Sequence, residues 1–231
     1  MVMIKEKVKD VLRPIKRGVQ KQINYKVFSV YGQEGEDLVI DSLLGKKKKG
    51  FFVDVGAYHP VRISNTFRFY KRGWSGINID PVKENIDLFK KHRKRDINLQ
   101  VAISDVEGVQ DFFEYGSDGS GSSVSKEYNQ AMKEQGAKPL KISKVKTVKL
   151  SRILDEYVGG RHIDLLTIDT EGHDLEVLKS SDWVKYKPTV ICLESWRGFE
   201  RYLDFLSPFG YEVAKRSGGN TIFIRRKEVK E

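Results

Sequence analysis

The sequence predicts an α/β fold, an open and mostly parallel sheet of about seven strands that closes with a C-terminal antiparallel hairpin strand. Three observations predict it. Short runs of β-forming residues alternate with helical periodicity for five rounds, which is the pattern of successive βαβ units. Four of those runs end on a carboxylate, Asp54, Asp80, Asp169 and Glu194. The chain then finishes with two strand-like runs joined by Gly218-Gly219-Asn220, a hairpin by its turn chemistry.

Taken in order, residues 3–24 carry Ile4, Val8, Val11, Leu12, Ile15, Val19 and Ile23 at spacings of three and four. That spacing predicts a basic amphipathic helix bent at Pro14, and residues 1–25 are set apart from a single body over 26–231. A helix over 38–44 follows the acidic start Glu34-Gly35-Glu36-Asp37 and stops at Gly45. Residues 51–55 form the first strand, and Pro60 suits the first turn of a helix running to Lys71. The second strand is 75–80, a helix spans 82–92, and the third strand is 97–103. Residues 109–115 read as an added strand, 116–123 as a flexible glycine-serine loop, and 124–141 as a short polar helix. Residues 142–148 alternate like an edge strand, and a helix over 150–157 is stopped by Gly159-Gly160. Strand four (163–169), a helix (175–180), strand five (189–194) and a helix (198–206) lead into the hairpin of 211–215 and 221–226.

The totals fit one folded domain of 231 residues, with 39% hydrophobic and 11% aromatic content. The single cysteine, Cys192, lies inside an apolar strand and reads as a core residue; one cysteine allows no intrachain disulfide and no thiolate metal cluster. No apolar stretch approaches the ~18 residues of a membrane span, and the start of the chain lacks a signal-peptide core, so a cytoplasmic protein is expected. The net charge is +10, and residues 1–30 hold eight Lys and Arg against two acids. Basic runs at 46–49 and 90–95 suit phosphates, nucleic acid or anionic lipid, and equally suit solvated turns and helix ends. For the N-terminal helix, contact with the inner face of a membrane and packing on its own domain stand as equal readings.

In a parallel sheet the C-terminal strand ends share one edge, where ligands bind. Asp80, one βαβ unit after the first strand, can accept from both hydroxyls of a ribose, and Gly56 lets the backbone approach a ligand closely. Neither Gly-x-Gly-x-x-Gly nor a Gly-Lys-Ser/Thr loop is present, which excludes the usual pyrophosphate cradles. These residues alone point to an adenosine-containing ligand.

Five ordered segments then carry a resemblance: 31–38, 52–60, 64–66, 73–81 and 168–174. Their sequence is similar to the FkbM-type family of class I S-adenosylmethionine-dependent methyltransferases, over about residues 31–195. Pro60 departs from the class pattern, standing where the last glycine of Asp-x-Gly-x-x-x-Gly is usual. The resemblance implies a Rossmann-like sandwich, with S-adenosylmethionine as methyl donor and S-adenosylhomocysteine as product. It places Asp54, Gly56, Ala57 and Tyr58 along the methionine and ribose of the donor, Asp80 on the ribose, and Ala102 and Ile103 against the adenine. Gln33 and Asn65 would meet the amino-acid end, and Asp169 would stand near the sulfonium. O-methylation of a sugar, glycan or small-molecule hydroxyl is the implied activity.

An alcohol acceptor loses a proton, which calls for a base, and Asp169, Glu171 and His173 are the candidates. A divalent cation on Asp169, Glu171 and Glu194 is the weaker alternative, and no metal is predicted. Ser122 and Ser123 would cover the acceptor, with Glu194, Trp196 and Arg197 lining its pocket. Two rivals are a nucleic-acid methyltransferase, disfavoured because no Asn-Pro-Pro-Tyr-type motif occurs, and a non-catalytic binding protein with the same fold. Oligomeric state has no signature here. Duplex DNA titrated at physiological salt is therefore expected to bind weakly, with an affinity falling linearly in log salt; tight binding that survives salt would favour the nucleic-acid rival.

Overall fold

The computed structural model describes residues 30–117, 119–195 and 198–226. The helix expected over 3–24, and the pocket residues Trp196 and Arg197, lie outside the described residues. Helix α1 (Glu36–Leu43) precedes strand β1 (Phe51–Val55); α2 (Phe67–Lys71), β2 (Ser75–Asp80), α3 (Lys83–His92), β3 (Ile97–Gln100) and β4 (Ala102–Ile103) follow. Next come β5 (Gly108–Glu114), α4 (Lys126–Glu134), β6 (Lys141–Val148), α5 (Leu150–Tyr157), β7 (Leu165–Ile168) and α6 (Asp174–Lys179). The chain closes with β8 (Val190–Glu194), α7 (Glu200–Leu206), β9 (Tyr211–Ser217) and β10 (Asn220–Arg225).

Seven strands form one sheet in the order β3-β2-β1-β7-β8-β10-β9, with β10 antiparallel to both its neighbours. This is the mostly parallel sheet with a terminal hairpin that the alternation predicted. Both faces of the central strands are covered, so β1, β7 and β8 are mostly apolar, and all five residues of β1, Asp54 included, are buried. Phe51, Val53 and Val55 point to a layer containing Leu154, Leu178 and Leu206 of α5, α6 and α7. Phe52 points the other way, to Ile40 of α1, Phe69 of α2 and Trp74. Each of these fully buried side chains contributes on the order of 2–3 kcal/mol of transfer free energy.

The chain runs from β1 outward to β2 and β3, then crosses back to place β7 on the other side of β1. That reversal lies between β1 and β7, and open α/β sheets bind their ligands at such a switch point. A second, three-stranded sheet in the order β4-β6-β5 stands beside it.

Three local expectations are corrected. The third strand is broken: Val101 donates to the Asp80 carbonyl at 3.2 Å, and Ala102 and Ile103 leave the main sheet to pair with β6. β6 is the middle strand of its sheet, and it resembles an edge because Lys141, Lys144 and Lys146 face water. Pro60 opens no helix, since α2 begins only at Phe67. Residues 56–66 instead form an irregular loop with Tyr58 and Ile63 at left-handed φ values of 52°.

The loop is held by a residue taken from a basic run. Arg93 is fully buried, and its guanidinium donates to the Pro60 carbonyl (2.7 Å), Ser64 Oγ (3.0 Å) and Thr66 Oγ1 (3.1 Å). It also pairs with Asp96 at 3.5 Å and lies against the rings of Phe52, Phe67, Tyr70 and Phe89. The Thr66 hydroxyl in turn donates a hydrogen bond to the Asp54 carboxylate at 2.7 Å. Burial pushes the Asp54 and Asp96 carboxyls up to about 6, and it pulls the Arg93 guanidinium down to about 10.

Both aspartates therefore have folded-state values above their unfolded 3.8, so the native state binds more protons between the two. Their contribution to stability grows as pH falls through about 6 and is complete below about 4. Arg93→Ala, which leaves the two acids without their counter-ion, is expected to cost about 3–5 kcal/mol at pH 7. The loss should shrink at pH 5; urea unfolding at both pH values checks this, and an equal or larger loss at pH 5 would contradict it.

Candidate active site

The C-terminal ends of β2, β1 and β7 deliver Asp80, Gly56 and Asp169 to one cleft at the switch point. The backbone sets this up. Gly56 and Ala57 both donate to the Ile79 carbonyl (2.9 and 3.1 Å), and Asp169 donates to the Val55 carbonyl at 2.9 Å. Gly56 has φ 77°, and a Cβ there would lie 1.8 Å from the Asp169 carbonyl oxygen. Only glycine lets the two strand ends close together.

Asp80 is oriented by its own surroundings. One carboxylate oxygen accepts the Tyr58 N–H (2.9 Å), the other the Val82 N–H (2.8 Å) and Asn85 Nδ2 (3.2 Å). Burial raises its carboxyl to about 6 against the pull of those donors. Apolar side chains of Ile79, Val82, Ala102, Ile103 and Phe112 make one wall, and the 119–124 loop makes another. In that loop the Ser122 hydroxyl is buried and meets no hydrogen-bond partner among the described residues, while Ser123 donates to the Thr170 carbonyl at 3.1 Å.

Beyond β7 the chain turns sharply. Glu171 takes φ 52°, a left-handed conformation uncommon for a residue with a side chain. Asp174 fixes the turn by accepting from the Thr170 N–H (2.9 Å) and hydroxyl (3.0 Å). The Glu171 carboxylate is met by the Tyr128 hydroxyl and the Gly121 N–H. Asp169, Glu171 and Glu194 offer oxygens that all lie within 4.8 Å of one another, a hard-donor set able to hold a cation. Asp169 is open to the cleft, yet protein encloses the rest of its surroundings. Burial first, and then the charges of Glu194 and Glu171, raise its carboxyl well above the usual range. Burial likewise raises Glu171.

Most of the expected residues meet here: Gln33, Gly56, Tyr58, Asp80, Ala102, Ile103, Ser122, Ser123, Asp169, Glu171 and His173 all border the cleft. Three do not. Asp54 is buried behind the wall with its carboxylate on Thr66, and Ala57 is enclosed as its N–H joins β2. Asn65 turns toward Thr167 (3.4 Å) and the Cys192 sulfur (3.8 Å). Glu194 borders a neighbouring cavity instead. His173, the N-cap of α6, is buried with Nε2 3.1 Å from Ser104 Oγ, and burial lowers its pKa. It joins the cleft on the β4 side as a neutral ring. Residues that the motifs missed include Val82, Phe112 and Val124, whose only signal was apolarity outside any motif.

A Rossmann-like sheet with an acid-lined cleft at its switch point defines a fold that methyltransferases use. A profile of the methyltransferase FkbM domain matches residues 54–213, from the end of β1 into β9. The chain therefore belongs to the FkbM methyltransferase family. No curated protein matches it at a significant level.

Gly56→Ala would force both the clash and the left-handed φ, so a loss of at least about 2 kcal/mol is expected. A urea midpoint equal to that of the wild type would contradict this account of the strand ends.

Proposed function

We propose that this methyltransferase uses S-adenosylmethionine and methylates a hydroxyl of a sugar, glycan or other small molecule. The observation that carries the reading is the pairing of Asp80 with Asp169 across one cleft at the switch point. Asp80 lines the cleft, and the acceptor capacity left on Oδ2, which meets one donor, suits a ribose hydroxyl. The Ser122 hydroxyl, without a partner among the described residues, supplies a further polar group on the cleft wall, and the apolar surface around Ala102 and Ile103 suits a purine.

When bound, the donor supplies an electrophilic methyl: its C–S bond breaks with the pair left on sulfur, a C–O bond forms, and the acceptor releases one proton. The chain's part is alignment, exclusion of water and acceptance of that proton. Glu171 is the best placed base, because its carboxylate borders both the donor cleft and the neighbouring cavity. Its raised pKa brings it closer to the range in which a carboxylate accepts a proton effectively. Asp169 would face the positive sulfonium. His173, turned to Ser104 on the β4 side, is better read as cleft wall than as base.

The nucleic-acid reading loses part of its ground, since Arg93 of the 90–95 run is buried and Lys47 of the 46–49 run pairs with Asp164 at 2.7 Å. Among the described residues no helix is long and apolar enough to cross a membrane.

Calorimetry with S-adenosylhomocysteine tests the reading. Binding is expected for the wild type, weakened at least about tenfold in Asp80→Ala, where charge-assisted hydrogen bonds are lost. Glu171→Gln should bind the product normally. A wild type that does not bind S-adenosylhomocysteine would sink the proposal.

A further inference from the structure

Of the four non-glycine residues at positive φ among the described residues, Tyr58, Ile63 and Glu171 border the donor cleft, and only Lys46 lies elsewhere. Backbone held in such sparsely populated conformations is unfavourable, and it persists where its neighbours over-determine it. Two of the three have a polar reason to be there. Tyr58 turns its N–H to Asp80 at 2.9 Å, and the conformation of Glu171 belongs to the turn that Asp174 fixes. Ile63 has only an aliphatic side chain to offer.

The same φ of 52° costs most at Ile63, because a β-branched side chain crowds the backbone there. The conformation is imposed from both sides. Before it, the Val61 and Arg62 N–H groups donate to Nδ1 of His59 at 3.1 and 3.0 Å. After it, the Ser64 N–H donates to the Tyr31 carbonyl at 2.9 Å, and the Ser64 hydroxyl accepts from Arg93 at 3.0 Å. The strain brings little burial in return, since the side chain is 47% exposed. Of the large apolar side chains exposed among the described residues, it is the one that borders the cleft. Glycine or asparagine would accept this φ without a branched side chain in water. Strain and exposure together are unfavourable within the chain, and a ligand that covers the side chain offsets them.

We infer that Ile63 is a ligand-contact residue of the donor cleft, held in a strained conformation so that its side chain meets the C–H surface of a bound donor. It lowers the stability of the chain and raises the affinity of the cleft, so its replacement separates the two quantities. The inference rests on the donor reading and adds to it a contact that no motif marks.

The full chain, Ile63→Asn, Ile63→Gly and Ile63→Val are unfolded in urea without ligand and titrated with S-adenosylhomocysteine by calorimetry. Asparagine and glycine accept the left-handed φ and remove the apolar contact. Both variants should therefore unfold at a urea midpoint no lower than the wild type, while binding at least about fivefold more weakly. Ile63→Val keeps the branch and most of the contact, and should bind within about threefold of the wild type. Val184→Asn, at an exposed apolar residue away from the cleft, should leave the affinity unchanged. Lower midpoints in both the Asn and Gly variants would make Ile63 a structural residue, and wild-type affinity in both would leave it without a ligand contact. Either result overturns the inference while the donor reading stands. A wild type that does not bind S-adenosylhomocysteine overturns the donor reading and this inference with it.

Discussion

The guanidinium of Arg93 is shut off from solvent, and the groups that replace its hydration are those that shape the cleft. Removing such a cation from water costs several kcal/mol, which only close partners can offset. Those partners are the Pro60 carbonyl, Ser64, Thr66 and Asp96, so the arginine draws the loop after β1 against α3. Asp96 in turn accepts from the Gly76 N–H and Asn78, which ties the same cluster to the start and middle of β2. The two strands whose ends frame the cleft are thereby linked beneath it. Asp54 then has a clear part: through Thr66 it balances the arginine, and it supports the ligand wall from behind.

Environment divides the labour among the carboxylates. Asp80 is surrounded by donors that fix its orientation, which suits recognition of a neutral diol. Asp169, Glu171 and Glu194 are crowded together, and mutual repulsion and burial raise the proton affinity of Asp169. Like charges this close do not all ionise with equal ease. A cluster of that kind stabilises a positive centre or stores a proton, and the proposed methyl transfer from a sulfonium to an alcohol would present both demands.

Much of the sheet was legible because strands buried on both faces must be apolar along their length, and their last residues stand out as soon as an acid appears. Asp80 and Asp169 were readable for that reason, as was Gly56. Other features depend on contacts distant in sequence. Arg93 sits in a run of lysines and arginines that looks solvated, and nothing local reveals that four aromatic rings enclose it. The third strand reads as one continuous strand over 97–103, although Val101 is where the chain changes sheets. The neighbouring cavity was the least legible, since its walls come from α4, the α6 turn, β8 and α7, and α4 by itself is only a short polar helix capped by Ser125.

The position of α4 has a consequence for how such a molecule can diversify. It is carried between β5 and β6, in the small sheet, and no ladder of the main sheet runs through it. One wall of the neighbouring cavity is therefore a module, whereas the cleft framed by Gly56 and Asp80 is locked into the central strands. Residues 126–134 can change without disturbing any strand pairing of the main sheet, so that one cavity can be reshaped while the other keeps its frame.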